Sequence, residues 1–218
     1  MGVEALILTH NNQSGLNALL WSIYLGSKIP DGITIARTGS TFDDRQLLST
    51  IGLMQEVMPV EIVKIENVKE HGFIHFGTIR ELTFEHLKRR GKNTAWVLDD
   101  DLIVTHNCLE LLLKAKGAAM PFIVEEDRVI TPLEKSYYKS LTEGGKITRG
   151  AAHGLLASVD DLCSVNLSKY RCFEDTELLT KIKPELILGA KILHTKKTTA
   201  RPEMLYAYVE DLAEGRLN

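Results

Sequence analysis

The stretch GTIRELTFEHLKRRGKNTAWVLDDDLIV, Gly77 to Val104, carries the fold. Ile79, Leu82 and Leu87 recur at helical spacing, predicting a helix over 76–90 that Gly91 stops. Thr94 to Leu98 is an apolar run too short for a helix, so it reads as a buried strand. That strand runs straight into Asp99, Asp100 and Asp101. Upstream the alternation repeats. Val3 to Thr9 reads as a strand, and Ser14 opens a helix with Leu16, Leu19, Leu20 and Ile23 on one face. After the turn at Pro30, Asp31 and Gly32, Ile33 to Arg37 is a second strand. A helix over 44–58 carries Leu47, Leu48, Ile51 and Met54, and Val60 to Ile65 is a third strand. Strand and helix in strict alternation favour a parallel sheet with helices on both faces.

Downstream the pattern is less regular. Residues 107–116 read as a helix, and Pro121–Val124 with Arg128–Ile130 as a hairpin. Leu133–Leu141 reads as a short helix and Thr142–Gly150, with three glycines, as a mobile loop. A strand over 154–159, a helix over 174–182, one or two strands over 187–193 and a helix over 202–213 complete the chain.

Composition excludes several classes. The chain has 218 residues, 44% hydrophobic and 25% charged, as a soluble globular domain has. A chain of this length buries about 70% of its unfolded surface and needs no disulfide or metal staple. Lys and Arg number 26 against 29 Asp and Glu, a net charge of −3, so bulk charge gives no argument for nucleic acid. Cys108, Cys163 and Cys172 have no metal-binding spacing and read as isolated thiols of a reducing compartment. The opening MGVEALIL has an acid where a secretory signal needs basic residues, and no apolar run reaches a membrane span. The expectation is a cytoplasmic protein, one domain over 1–218.

Chemistry concentrates in three places. Ligands of open parallel sheets bind beyond the carboxyl ends of the strands, where Asp99, Asp100 and Asp101 fall. Alternation sends Asp99 and Asp101 to one side, and two hard oxygen donors there suit Mg²⁺ or Mn²⁺ with a polyphosphate. A solvated acidic turn is the plainer reading. Glu174 and Asp175, in CFEDTELL, open a helix whose dipole favours acids, by roughly 0.3–1 kcal/mol each. Read functionally, Asp175 is a general base. His194, in ILHTKK, follows a late strand and would complete an Asp-Asp-His set that tolerates Mn²⁺.

These pieces, in this order, resemble a small glycosyltransferase of the GT-A fold, closest in pattern to glycosyltransferase family 2. VEALILTHNNQSGLNALLWSI resembles that family's first strand, nucleotide loop and first helix. Gly77 to Val104 resembles its stretch from the arginine-bearing helix to the Asp-x-Asp motif. RGAAHGLLAS and FEDTELL resemble its acceptor-side strand and Glu-Asp motif, and ILHTKK its late histidine. The implied fold is α/β: a Rossmann-like, mostly parallel central sheet with helices on both faces and a smaller acceptor-side β region. Residues 1–105 would form the nucleotide-sugar half and 106–218 the acceptor half.

The resemblance implies roles residue by residue. Thr9, His10 and Asn11 would lie along the nucleotide, and Arg80 would approach the base or pyrophosphate. Asp99 would touch the ribose or donor sugar and also serve the metal, with Asp100 on the nucleotide side. Asp101 and His194 would hold Mn²⁺ or Mg²⁺, Lys196 and Lys197 would close over the diphosphate, and Asp175, with Glu174 beside it, would be catalytic. The implied enzyme is a hexosyl- or pentosyltransferase using a nucleotide-diphosphate sugar, with inversion. One departure stands out: where many members carry an acidic motif after the second strand, this chain has Arg37, Thr38 and Ser40, with Asp43 late.

For the acceptor, a saccharide is the commoner role. Lys135, Lys139, Lys146 and Arg149 interleaved with Tyr137 and Tyr138 also suit a nucleic-acid strand, and some soluble relatives glycosylate hydroxymethylated DNA bases. Competing readings are a catalytically inactive nucleotide-sugar-binding module and an Asp-x-Asp phosphohydrolase. The latter would carry its motif on the first strand, whereas three strands precede it here.

Overall fold

In the computed structural model the described residues are 2–66, 69–70, 73–125, 142–143, 146–147, 151–170 and 174–195. The apolar runs of the first half become β1 (Val3–Thr9), β2 (Gly32–Arg37), β3 (Val60–Lys64) and β6 (Thr94–Asp99). Between them lie α1 (Gln13–Tyr24), α2 (Arg45–Gln55) and α3 (Phe76–Arg89), with a two-stranded ribbon, β4 (Lys69–Glu70) and β5 (Phe73–Ile74), before α3. Then follow β7 (Leu102–Val104), α4 (Cys108–Leu112), β8 (Ala119–Glu125), β9 (Thr142–Glu143) and β10 (Lys146–Ile147). The last elements are β11 (Leu155–Ser158), α5 (Val159–Cys163), α6 (Glu174–Ile182) and β12 (Glu185–His194).

The main sheet runs β3-β2-β1-β6-β11-β8-β12-β10-β9, with β7 paired to β12. β3, β2, β1 and β6 are parallel, as the strand–helix alternation predicts. β11 enters antiparallel between β6 and β8, and β8 pairs parallel with β12. Side chains of a strand alternate between faces, and the two cores follow. Ala5 and Ile7 of β1 with Trp96 and Leu98 of β6 pack on one face with Leu16, Leu19 and Leu20 of α1 and Leu47 and Ile51 of α2. Leu6, Ala95 and Val97 pack on the other with Ile79, Phe84 and Leu87 of α3 and Leu178 and Leu179 of α6. The chain leaves β1 toward β3 on one side and returns to β6 on the other. The crevice at the carboxyl ends of β1 and β6 is therefore a topological switch point, the ordinary ligand position of such sheets.

The second half corrects several expectations. The chain after the three aspartates is not a turn running to a helix: Leu102–Val104 is a strand, paired antiparallel with Ile192–His194. The stretch read as a loop over 142–150 holds β9 and β10, which pair with each other, and Lys146 pairs with Glu185 at the sheet edge. β8 pairs with β11 and β12, and the other arm of the expected hairpin, 128–130, lies outside the described residues, as do the helices expected over 133–141 and 202–213. α4 is shorter than expected because Lys114 and Ala115 N–H groups bond back three residues, to Leu111 and Leu112, closing the helix in a tight turn. Cys108 is buried, which pushes its thiol up to about 12, and Cys163 is half-buried. Among the described residues no helix is long and apolar enough to cross a membrane.

α3 starts against the turn at 167–170. A Cβ on Gly77 would lie 2.0 Å from the Leu167 carbonyl oxygen and 2.4 Å from that of Tyr170, both backbone atoms that cannot swing away. Gly77→Ala is expected to lower stability by about 1–3 kcal/mol in urea unfolding, the usual cost of overpacking. Unchanged stability would show that this contact is not tight.

Candidate active site

The crevice is built from the ends of β1 and β6. The Thr9 hydroxyl donates to Asp100 Oδ2 at 2.6 Å and the His10 N–H to the same oxygen at 3.2 Å. Asn12 Nδ2 donates to the Asp100 carbonyl at 3.0 Å and to Oδ1 at 3.2 Å. Gly15 leaves room for this: its Cβ would stand 2.2 Å from the Asp100 carbonyl. Burial pushes the Asp100 carboxyl up to about 6, against the pull of the Thr9 and Asn12 hydrogen bonds. Asp100 therefore ties the two strand ends together, and β1's loop is tied in turn to β2's. His10 Nδ1 lies 2.9 Å from Thr38 Oγ1, and Asn11 Oδ1 accepts from Ser40 N–H at 2.8 Å and from Ser40 Oγ at 3.0 Å. Gln13 Oε1 accepts from the N–H groups of Asp43 and Asp44 at 2.9 and 3.0 Å. Asn11 reaches Ser40 from a left-handed backbone, φ 59°, which asparagine tolerates.

Next to this lies a buried cationic knot. Arg80, 7% exposed, donates Nε to Glu174 Oε1 at 2.7 Å. Its Nη2 stands 3.2 Å from Asp175 Oδ1 and 3.5 Å from Asp99 Oδ1. Burial alone would push the guanidinium down, but Asp175, Asp99 and Glu174 more than reverse that. Burial pushes the Glu174 carboxyl up to about 7, opposed by Arg80 and reinforced by Asp175. Asp99 is held well below the usual carboxylate range: burial opposes ionisation, and Arg80 and His153 overcome it. Arg80 Nη1 is buried with no hydrogen-bond acceptor among the described residues.

The third group is Asp101 with His194. Antiparallel pairing sets His194 opposite Leu102, and the Thr195 N–H and hydroxyl both donate to the Asp101 carbonyl at 2.8 Å. His194 Nε2 lies 3.1 Å from Asp101 Oδ2. Two cis ligands of an octahedral ion with bonds of about 2.1 Å sit about 3 Å apart, so this carboxylate–imidazole pair fits a divalent cation. Among the described residues no three His, Cys, Asp or Glu side chains converge on one point. Asp99 faces away from this pair, with Oδ1 toward Arg80 and Oδ2 toward a second histidine.

The second of those oxygens is taken by His153, which sequence reasoning passed over. Leu155 of β11 pairs with Val97 of β6, and the same register two residues on sets His153 against Asp99. Its Nδ1 is 2.7 Å from Asp99 Oδ2, and its ring lies 4.8 Å from that of His194 at 30°. Burial works against a charge on His153, but Asp99 and Asp175 raise its affinity for a proton. The only sequence signal is a polar residue before Gly154, whose φ of 75° begins the strand. Lys196 and Lys197 lie outside the described residues, as do Lys135, Tyr137, Tyr138, Lys139 and Arg149; Lys146 is exposed on β10.

The fold recurs among solved structures. S. aureus TarS in complex with UDP-GlcNAc aligns with a TM-score of 0.60 at 11% identity, over 91% of this chain and 60% of that one. GalNAc-T7 with UDP, GalNAc and Mn²⁺ aligns at 0.66 and 16% identity, over 98% and 48%. This is the GT-A fold. The mannosyltransferase PcManGT from Pyrobaculum calidifontis, in complex with GDP-Man and Mn²⁺, aligns at 0.59 and 15%, over 99% and 64%. The chain thus spans between about half and two thirds of the length of these GT-A structures. No protein-family model matches the chain, and no curated protein matches it in sequence.

Arg80→Met removes the guanidinium that faces Asp99, Glu174 and Asp175. Breaking such a pairing costs about 3–5 kcal/mol, and Arg80→Lys recovers only part of it, because an ammonium lacks the planar fork. Chemical unfolding of both variants checks this; a Met variant as stable as wild type would show that the three carboxylates need no counter-charge.

Proposed function

We propose that this GT-A chain is a metal-dependent glycosyltransferase that moves a sugar from a nucleotide-diphosphate sugar to an acceptor hydroxyl, with inversion. The observation that carries the reading is the Asp101–His194 pair, 3.1 Å apart at the carboxyl edge of β6 and two residues on from Asp99 of the Arg80–Asp99–Asp175 knot. The solved structures of the same fold that hold UDP-GlcNAc, or Mn²⁺ with UDP or GDP-Man, support it. Asp101 and His194 are the residues that would hold Mn²⁺ or Mg²⁺, which would supply Lewis-acid neutralisation of the departing diphosphate, worth several kcal/mol.

The chain's own groups divide the rest. The ends of β1 and β2, with His10, Asn11, Thr38 and Ser40, form the nucleotide side. Lys196 and Lys197, two and three residues after His194 and outside the described residues, are the cations the sequence offers for the diphosphate. Arg80 Nη1, a buried donor without an acceptor, is the group left for a ligand oxygen. Asp175 takes the proton from the acceptor hydroxyl as that oxygen bonds to the anomeric carbon, and the electron pair of the breaking bond leaves with the diphosphate. Glu174 and Arg80 hold Asp175 in place: Glu174's side chain is 8% exposed and Asp175's 17%, so Asp175 is the more open carboxylate. The acceptor oxygen, deprotonated by Asp175, attacks from the side opposite the diphosphate, which inverts the anomeric centre. The acceptor is a saccharide hydroxyl or a hydroxymethylated DNA base. Phosphohydrolase chemistry is disfavoured because the first aspartate of the motif, its nucleophile, is here locked between Arg80 and His153.

Thermal-shift binding of UDP, GDP, CDP and TDP, each with Mn²⁺ and with chelator, tests the donor site. One nucleotide is expected to raise the melting temperature only with metal, and not in Asp101→Asn. No metal-dependent shift with any of them would overturn the reading. With the nucleotide known, sugars and acceptors are screened, hydroxymethylated DNA included. Asp175→Asn is expected to lower turnover about 10²–10⁴-fold with donor binding unchanged; full turnover would remove Asp175 as base and a bound but unturned donor in wild type would favour the inactive binding module.

A further inference from the structure

We propose that His153, on β11, contacts the transferred sugar through Nε2, and that Asp99 serves to aim this imidazole rather than to bind the donor itself. The inference rests on the glycosyltransferase reading and adds a donor-specificity residue to it.

Asp99 is the residue the Asp-x-Asp pattern would place on the ribose or sugar. In the structure its Oδ1 faces Arg80 Nη2 at 3.5 Å and its Oδ2 faces His153 Nδ1 at 2.7 Å. With Oδ2 bonded to His153 and Oδ1 facing the Arg80 guanidinium, Asp99 is fixed in place to orient the imidazole. With Nδ1–H given to Asp99, the outer nitrogen of His153 is Nε2, which has no partner among the described residues. The side chain is 17% exposed, so this nitrogen is not sealed in the core.

Location completes the argument. One ring away, 4.8 Å between centroids, is His194, whose Nε2 meets Asp101. On the other side, through Asp99 and Arg80, is Asp175. In the proposed reaction the sugar must lie between the diphosphate on the metal pair and the base. Among the described residues, His153 is the side chain that meets both the His194 ring and Asp99. It is not a third metal ligand, since no three-donor group forms among the described residues.

Two substitutions separate aiming from contact. His153→Asn retains an amide N–H near the Nδ1 position, able to keep Asp99 occupied, and removes Nε2. His153→Gln can place an amide nitrogen near the Nε2 position instead. Isothermal titration is run with Mn²⁺ and a matched pair: the nucleoside diphosphate that wild type binds, and its sugar conjugate drawn from UDP-GlcNAc, UDP-GalNAc and GDP-mannose. His153→Asn is expected to weaken sugar-conjugate binding about 5- to 10-fold, one lost hydrogen bond, with diphosphate binding within about two-fold and the melting temperature unchanged. His153→Gln is expected to recover part of the loss. Equal weakening of both ligands, or an unchanged ratio in His153→Asn, would overturn the proposal and leave His153 as a brace for Asp99. If His153→Asn fails to fold, the ratio in His153→Gln against Asp99→Asn decides: a contact requires both to lower it, Asp99→Asn the more. Wild type that binds no diphosphate overturns the glycosyltransferase reading and this inference with it.

Discussion

A guanidinium taken out of water must be matched by negative charge held nearby. Arg80 is matched by Asp99 from the end of β6 and by Glu174 and Asp175 from the start of α6, while α3 carries Arg80 itself. Three segments far apart in sequence are thereby drawn to one point. Each is anchored by packing as well: Ile79, Phe84 and Leu87 of α3 and Leu178 and Leu179 of α6 share one core with Val97 of β6. The ion cluster is therefore a geometric requirement on the crevice more than a source of stability, since desolvation consumes most of what a buried pair gains.

That requirement sorts the acidic residues. Asp100 is spent on joining β1 to β6, and Glu174 on gripping Arg80. Asp99 is spent between Arg80 and His153. Asp101 lies beside His194, and Asp175 faces Arg80 with a side chain 17% exposed, against 8% for Glu174. Five carboxylates crowd one crevice, and the work each can do is set by what else it already holds.

The parallel half was legible because each element is local. A strand of seven or fewer apolar residues and a helix with one apolar face announce themselves by periodicity, and short connections make neighbours of them. The second half depends on pairings between distant segments. Leu102–Val104 is too short to show a period, yet its pairing with β12 is what carries His194 to Asp101. The glycines over 142–150 suggested a loop because composition cannot report that an edge strand is offered by β12. Arg80, Asp99 and Asp175 were identifiable as residues of interest, but not as one cluster, because no spacing links 80, 99 and 175. His153, marked in the sequence only as a polar residue before Gly154, becomes a partner of Asp99 because β11 runs antiparallel beside β6.

The central claim is that Asp101 and His194 hold a divalent cation together with a nucleoside diphosphate. Pulsed electron paramagnetic resonance of Mn²⁺ in the presence of that nucleotide observes it directly. The account predicts phosphorus coupling from the diphosphate and nitrogen coupling from one imidazole, the nitrogen lost in His194→Gln and kept in His153→Asn. A Mn²⁺ signal with no coordinated nitrogen, or one whose nitrogen survives His194→Gln, would contradict it.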